Sequence, residues 1–91
     1  MALVELHILS DSTGETAARL VLALEAQFPD IEFQEVRHPR VESVEDLAIA
    51  VQRARGRPAV MVYTLVERGL REEMRRLCRR SRVHYLSLIH I

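Results

Sequence analysis

The sequence predicts an α/β fold with an open, mainly parallel four-stranded sheet in β-α-β-α-β-α-β order. Apolar residues switch repeatedly between a two-residue period and a helical period, and short polar breaks separate the segments. One extended segment is a continuous apolar run, which is typical of a strand buried on both faces of a parallel sheet. With 91 residues the chain has the length of one small domain, and we expect a Rossmann-like half domain.

The first half of the chain predicts two strands with a helix between them. Residues 3–9 and 31–36 alternate with the period of a strand. One face of the intervening helix carries apolar residues at helical spacing, namely Ala17, Leu20, Val21, Leu24 and Phe28. Because Glu32 and Gln34 give the second strand a polar face, we expect it at an edge of the sheet.

The second half predicts two more helices and two more strands. Residues 59–63 form the continuous apolar run, a helix extends from Thr64 to about Ser81, and residues 83–86 begin a fourth strand. The apolar faces of the second and third helices consist of Val44, Leu47, Ala48 and Val51, and of Leu70, Met74 and Leu77. Three helices are too few to cover both faces of such a sheet, so we expect part of one face to stay uncovered.

Composition excludes several classes of protein. A hydrophobic content of 48% and a charged content of 29% argue against disorder. No apolar run approaches the roughly 18 residues of a membrane span, and the start of the chain lacks the basic region of a signal peptide. The single cysteine, Cys78, excludes an internal disulfide and is expected as a small buried apolar residue. We therefore predict a cytoplasmic protein with no membrane partner and no metal site.

The net charge of zero hides an asymmetry along the chain. Residues 1–46 carry three arginines and ten acidic residues, a net of −7, whereas residues 47–91 carry ten arginines and three acidic residues, a net of +7. No lysine is present to serve a phosphate-binding loop. The arginine-rich third helix is either a solvated face, neutralised in part by the acidic half, or a nucleic-acid contact. Since no aromatic residues interleave with the arginines, we expect no nucleic-acid partner.

Candidate site residues follow from the rule that open α/β sheets bind ligands beyond the carboxyl ends of their strands. The loops there are predicted at residues 10–15, at residues 38–40 and from Thr64 onward. Ser12 and Glu15 have the spacing of a helix-capping box. Hydroxyl groups and a glycine lie beside free backbone amides in the first loop: Ser10, Ser12, Thr13, Gly14 and Thr16. The loop is therefore either a helix cap alone or a cradle for a phosphate group.

The histidines allow two interpretations each. His38 follows the second strand and is either an acid–base group or a solvated loop residue. His7 and His84 lie in predicted strands, where we expect them to make core or partner contacts.

Residues 10–17, with the sequence SDSTGETA between a strand and an apolar helix, resemble the amino-terminal region of the pyruvate, phosphate dikinase regulatory proteins, a kinase–pyrophosphorylase family. Residues 63–66, YTLV, followed by Leu70 and Arg71, are similar to a second landmark of that family. The resemblance covers residues 3 to about 85.

The resemblance implies a bifunctional serine/threonine kinase and phosphorylase. Family members use ADP to phosphorylate a threonine of pyruvate, phosphate dikinase, and use inorganic phosphate to remove that group as pyrophosphate; related members act on phosphoenolpyruvate synthase. Asp11 is then the candidate to orient or accept the proton of the threonine hydroxyl, while the hydroxyl-rich loop holds phosphate or substrate. A carboxylate beside phosphate needs a metal or an arginine to offset repulsion.

Residues 1–85 are accordingly expected to be the amino-terminal domain of a longer protein, whose phosphate-loop domain would bind the nucleotide. We expect these 91 residues alone to bind no cofactor and to be inactive. Residues 86–91, LSLIHI, look like the translation of a transposase adapter and are expected to be a non-native tail. The alternative function, from a different class, is a stand-alone module that binds a phosphorylated ligand or a protein partner without catalysis.

Overall fold

A computed structural model describes residues 2–11 and 15–87 and confirms the predicted order of elements. The strands and helices, in chain order, are β1 (Ala2–Ser10), α1 (Glu15–Gln27), β2 (Ile31–His38), α2 (Val44–Ala54), β3 (Ala59–Thr64), α3 (Arg68–Ser81) and β4 (His84–Ser87). Leu86 and Ser87, the first residues of the predicted non-native tail, extend β4, and residues 88–91 lie outside the described part of the chain.

The four strands form one sheet in the order β2-β1-β3-β4, and every neighbouring pair is parallel. The edge position predicted for β2 is therefore correct, and the apolar run of β3 lies between two other strands. From β1 the chain crosses to β2 on one side, whereas β3 and β4 lie on the other side of β1. The strand order thus reverses between β1 and β3, which is where open α/β sheets form a crevice for ligands.

The helices are divided unequally between the two faces of the sheet. Helices α2 and α3 pack against the face that carries Leu9, Met61 and Tyr63, in the larger of two core clusters. Helix α1 packs alone on the opposite face, where Ala17 and Val21 contact Leu6, Ile8 and Val62. On that face Phe33 and Val60 are only partly buried, and Leu86 is exposed. Part of an apolar face is uncovered, as the number of helices predicts.

The predicted start of α3 is wrong by about one turn. Thr64 continues β3, and the helix begins at Arg68, because Glu67 acts as its N-cap. The Glu67 carboxylate accepts hydrogen bonds from the backbone amides of Gly69 (2.8 Å) and Leu70 (3.0 Å), which have no partner inside the helix.

The predicted apolar face of α2 needs a similar correction, since Val44 and Ala48 are exposed whereas Leu47 and Val51 are buried. The helix instead buries Ala50 and Ala54. Its first turn is fixed by a capping box between Ser43 and Asp46, which turns Val44 outward. On α3, Leu70 and Met74 are buried as predicted, Leu77 is partly buried, and Cys78 is buried, as expected of a small apolar residue.

Substitutions in α2 test this packing. Leu47 is fully buried, whereas Ile49, two residues further on, is 56% exposed. Leu47→Ala is expected to lower the free energy of unfolding by about 2–5 kcal/mol, because it leaves a cavity under α2. Ile49→Ala is the matched control and should change it by no more than about 0.5 kcal/mol. Urea titrations followed by circular dichroism measure both; equal losses for the two variants would contradict the packing described.

Candidate functional site

Ser10 joins the three loops at the carboxyl edge of the sheet. Ser10 pairs in register with Thr64 at the end of β3. Its carbonyl oxygen accepts a 2.8 Å hydrogen bond from the amide of Val41, beyond the end of β2. The side chain of Ser10 is buried, with a relative exposure of 1%. Residues that follow three different strands are therefore held together around the end of β1.

Asp11 crosses the crevice where the strand order reverses. Its carboxylate oxygen Oδ2 accepts a 2.7 Å hydrogen bond from the backbone amide of Val66, in the loop after β3. The residue is half-buried, so the carboxylate lies at the surface of the crevice. Within the described residues its other oxygen, Oδ1, accepts no hydrogen bond. Asp11 thus fixes the loop after β3 through one of its two carboxylate oxygens.

Of the other predicted site residues of this loop, only Ser10 and Thr16 lie in the part of the chain that the structure describes. Ser10 immediately precedes Asp11 at the end of β1, and Thr16 lies in the first turn of α1. Ser12, Thr13 and Gly14 lie outside the described residues, as does the proposed capping box of Ser12 with Glu15. The phosphate-cradle interpretation of this loop stays a prediction.

Arg71 supports the same loop from the second turn of α3. Its Nη1 donates hydrogen bonds to the carbonyl oxygens of Leu65 (3.3 Å) and Val66 (2.9 Å). Val66 is therefore held from both sides, by the carboxylate of Asp11 at its amide and by the guanidinium of Arg71 at its carbonyl. The sequence indicated arginines along α3 but gave no sign that this one would turn back to the loop, because only the late start of the helix places it there.

The histidines form a pair that the sequence did not reveal. His7 Nδ1 and His38 Nε2 are 3.0 Å apart, and the rings stack with centroids at 5.2 Å. His7 Nε2 is 2.9 Å from Glu5 Oε1, and Arg57 donates to Glu5 Oε2 at 2.6 Å. We refer to these four residues as the histidine network. His7 is buried, as expected of a core residue, whereas His84 is exposed.

The prediction that His38 lies in a solvated loop is wrong. It is the last residue of β2, pairs in register with Leu9 of β1, and is half-buried against His7. Burial, with smaller effects of His7 and Arg53, lowers the pKa of His38 from 6.5 to about 4. His38 is therefore neutral near pH 7. The hydrogen bond from His7 and the nearby Arg57 lower the pKa of Glu5, so its carboxylate stays ionised and accepts a hydrogen bond from His7 Nε2.

The stability of the chain should depend on this neutral histidine. Between pH 6.5 and about 4 the unfolded chain binds a proton at His38 that the folded chain does not, so the free energy of unfolding should fall as the pH falls through this range. His38→Gln removes the titrating group and should flatten that slope.

Urea titrations from about pH 7 to about pH 5, above the ordinary pKa values of carboxyl groups, give the slopes. Parallel slopes for the unsubstituted chain and His38→Gln would show that His38 does not titrate differently in the folded state.

Two of the α3 arginines are paired within the helix and not with the acidic first half of the chain. Arg68 pairs with Glu72 and Arg76 with Glu73, all within the helix. Over residues 2–11 and 15–87, the one arginine–carboxylate pair that joins the two halves is Arg57 with Glu5. The solvated-face interpretation therefore holds for most of α3, whose arginines are exposed except for the half-buried Arg71.

The described residues contain neither a membrane-spanning helix nor a metal-binding cluster. None of the helices there is long and apolar enough to cross a membrane. In the same ranges, no group of three or more histidine, cysteine, aspartate or glutamate side chains is placed to hold a metal ion. Burial raises the pKa of the Cys78 thiol to about 11, so this cysteine is an unreactive core residue near pH 7.

The strand order and the Asp11 crevice define an α/β domain that presents a candidate ligand site at the carboxyl edge of its sheet. Comparison with known proteins gives the family of this domain. The sequence model of the kinase/pyrophosphorylase family matches residues 6–91, and the chain belongs to this family.

Individual relatives agree with this assignment. A pyruvate, phosphate dikinase regulatory protein of Cutibacterium acnes is 32% identical in an alignment that covers 94% of this chain and 31% of the relative. Proteins of the same name from Geobacter sulfurreducens and Sphingopyxis alaskensis are each 40% identical, over 77% and 87% of this chain. The matched segments cover 26% and 29% of those two relatives, so the chain spans less than a third of the length of the proteins it resembles.

Proposed function

We propose that this chain is the amino-terminal part of a bifunctional regulator of pyruvate, phosphate dikinase. In this proposal the whole protein transfers a phosphoryl group from ADP to a threonine of the dikinase, and removes it with inorganic phosphate to release pyrophosphate. Membership of the kinase/pyrophosphorylase family and the names of the relatives support this function. The observation that carries it for this chain is the placement of Asp11 in the crevice between β1 and β3.

We assign to Asp11 the handling of the threonine proton. Because the Val66 amide holds Oδ2, the carboxylate is fixed in orientation, and we assign the other oxygen, Oδ1, to the threonine hydroxyl group. In the kinase direction Oδ1 accepts the threonine proton as the threonine oxygen bonds to the β-phosphorus of ADP and AMP leaves. In the phosphorylase direction, inorganic phosphate displaces the threonine oxygen, which takes the proton back from Asp11, and pyrophosphate leaves.

The nucleotide is proposed to bind outside these 91 residues. The sequence contains no lysine and no phosphate-loop pattern, and the relatives extend over more than three times the matched length. A cytoplasmic location belongs to the same proposal and is supported by the absence of any cysteine besides Cys78. The dikinase, or the related phosphoenolpyruvate synthase, is the protein substrate.

Two substitutions of Asp11 separate its chemical role from its structural role. Asparagine keeps an oxygen that can accept the Val66 amide but cannot act as a base, whereas alanine removes both functions. In the full-length protein we expect Asp11→Asn and Asp11→Ala to reduce both phosphoryl-transfer rates at least about 100-fold, as is typical for loss of a general base. Only Asp11→Ala should lower stability, by about 1 kcal/mol.

Rates are measured by transfer of labelled phosphate to and from the dikinase, and stability by thermal melting of the same preparations. Val66→Ala, which keeps the backbone amide and changes only an exposed side chain, serves as the control for general disturbance of the loop. Wild-type rates in correctly folded Asp11→Asn would show that the carboxylate only anchors Val66. Asp11 would then have a structural role alone, and a different residue would have to act as the base.

A further inference from the structure

A second polar cavity lies beside the Asp11 crevice and has no role in the function proposed so far. It has a volume of about 210 Å³ and opens between the first half of α3 and the carboxyl ends of β3 and β4. Its lining consists of Tyr63, Arg68, Arg71, Glu72, Arg75 and Ser87. The cavity therefore shares Arg71 with the loop that Asp11 holds.

The charge of the lining favours an anion. Three arginines face one glutamate, and that glutamate is already engaged, since Arg68 Nε donates to Glu72 Oε1 at 3.1 Å. Arg75 makes no ion pair with any residue of the described part of the chain. At neutral pH the lining thus carries an excess of two positive charges at the edge of the sheet where ligands of this fold bind.

Arg71 is held in place before any ligand arrives. Its Nη1 is fixed by the carbonyl oxygens of Leu65 and Val66, and the guanidinium keeps further N–H groups in a rigid plane. A donor fixed in this way loses little conformational freedom when it binds an anion. Arg71 is also half-buried, which weakens the screening of its charge by solvent relative to the exposed arginines of α3.

Side chains, not helix amides, would have to supply the donors. Glu67 occupies the amides of Gly69 and Leu70 at the start of α3, so its carboxylate closes that helix terminus to anions. Tyr63 of the lining is 2% exposed, and Ser87 belongs to the expected non-native tail, so the proposal assigns neither of them as a donor. Burial raises the pKa of the Tyr63 hydroxyl, which therefore stays protonated and neutral next to an anionic ligand.

We propose that this cavity binds a dianionic phosphoryl group through Arg71 and Arg75. Two hydrogen bonds and the backbone of Val66 place the Arg71 guanidinium within roughly 10 Å of the Asp11 carboxylate. The positive charge that a carboxylate needs beside a phosphoryl group is then supplied by the chain itself. The use of the cavity in catalysis rests on the proposed function, but the binding of phosphate does not, and it departs from the expectation that these 91 residues bind none.

The test is a titration of the 91-residue chain with inorganic phosphate, followed by two-dimensional NMR of the backbone amides. We expect saturable shifts at the residues that line the cavity, and at least roughly tenfold weaker binding in Arg75→Gln, the loss expected for one charge-assisted hydrogen bond. Arg76→Gln is the matched control, because Arg76 is the next residue, is also exposed, and is paired with Glu73. It should bind phosphate within about twofold of the unsubstituted chain.

Shifts confined to other surfaces, equal weakening by Arg75→Gln and Arg76→Gln, or no saturable shift would each overturn the proposal. Parallel titrations with a phosphothreonine peptide and with ADP identify the source of the phosphoryl group. Tighter binding of the peptide than of phosphate assigns the cavity to the modified threonine, and equal binding assigns it to free phosphate; in either case Arg75→Gln must weaken the interaction. Binding of ADP alone, with no response to phosphate or peptide, would contradict a phosphoryl site.

Asp11→Asn separates the two proposals. If the cavity is a phosphoryl site, this variant binds phosphate at least as tightly as the unsubstituted chain, since a negative charge is removed, whatever its effect on transfer. A full-length protein in which Asp11→Asn has wild-type rates while Arg75→Gln weakens phosphate binding would overturn the role of Asp11 and leave the cavity in place. Loss of binding in the Asp11→Asn chain, with its fold intact, would show that the site depends on the carboxylate and not on the arginines.

Discussion

The arrangement of the carboxyl edge depends on how the end of β1 is held. Ser10 and Asp11 are consecutive residues, yet their hydrogen bonds lead in two directions, from the Ser10 carbonyl to the Val41 amide and from the Asp11 carboxylate to the Val66 amide. Strands β2 and β3 flank β1, so these two contacts tie the loops of both neighbours to one short segment. The hydrogen bonds between parallel strands end where the strands end, so the loops beyond them need contacts of their own. Here Ser10 and Asp11, at the end of β1, supply these contacts.

Sequence periodicity was sufficient for the fold but not for its polar contacts. The order of elements, the edge position of β2 and the buried β3 could be predicted because apolar spacing reports burial directly. Contacts such as His7 with His38, or Asp11 with Val66, join residues 31 and 55 positions apart. They depend on the register of two parallel strands and on the path of a loop, neither of which leaves a local pattern in the sequence.

Capping explains the errors at the helix ends. The first turn of α3 is set by the carboxylate of Glu67, and that of α2 by reciprocal hydrogen bonds between Ser43 and Asp46. An acidic residue before a helix is compatible with both a cap and a solvated turn, so the sequence does not determine the first residue of the helix. At α3 the shift has chemical consequences, because a helix that began at Thr64 would not place Arg71 where it reaches the carbonyl oxygens of the loop.

The histidine network constrains which sequences can carry this domain. His7 has only two ring nitrogens, and Glu5 and His38 occupy both of them. A substitution of Glu5 would strand a buried imidazole without its acceptor and release Arg57, and a substitution of His38 would leave the opposite nitrogen unpaired. A change at any of the four positions, which are spread over residues 5 to 57, therefore disturbs the hydrogen bonds of the others. Family members that change one of them are expected to have changed the others in the same lineage.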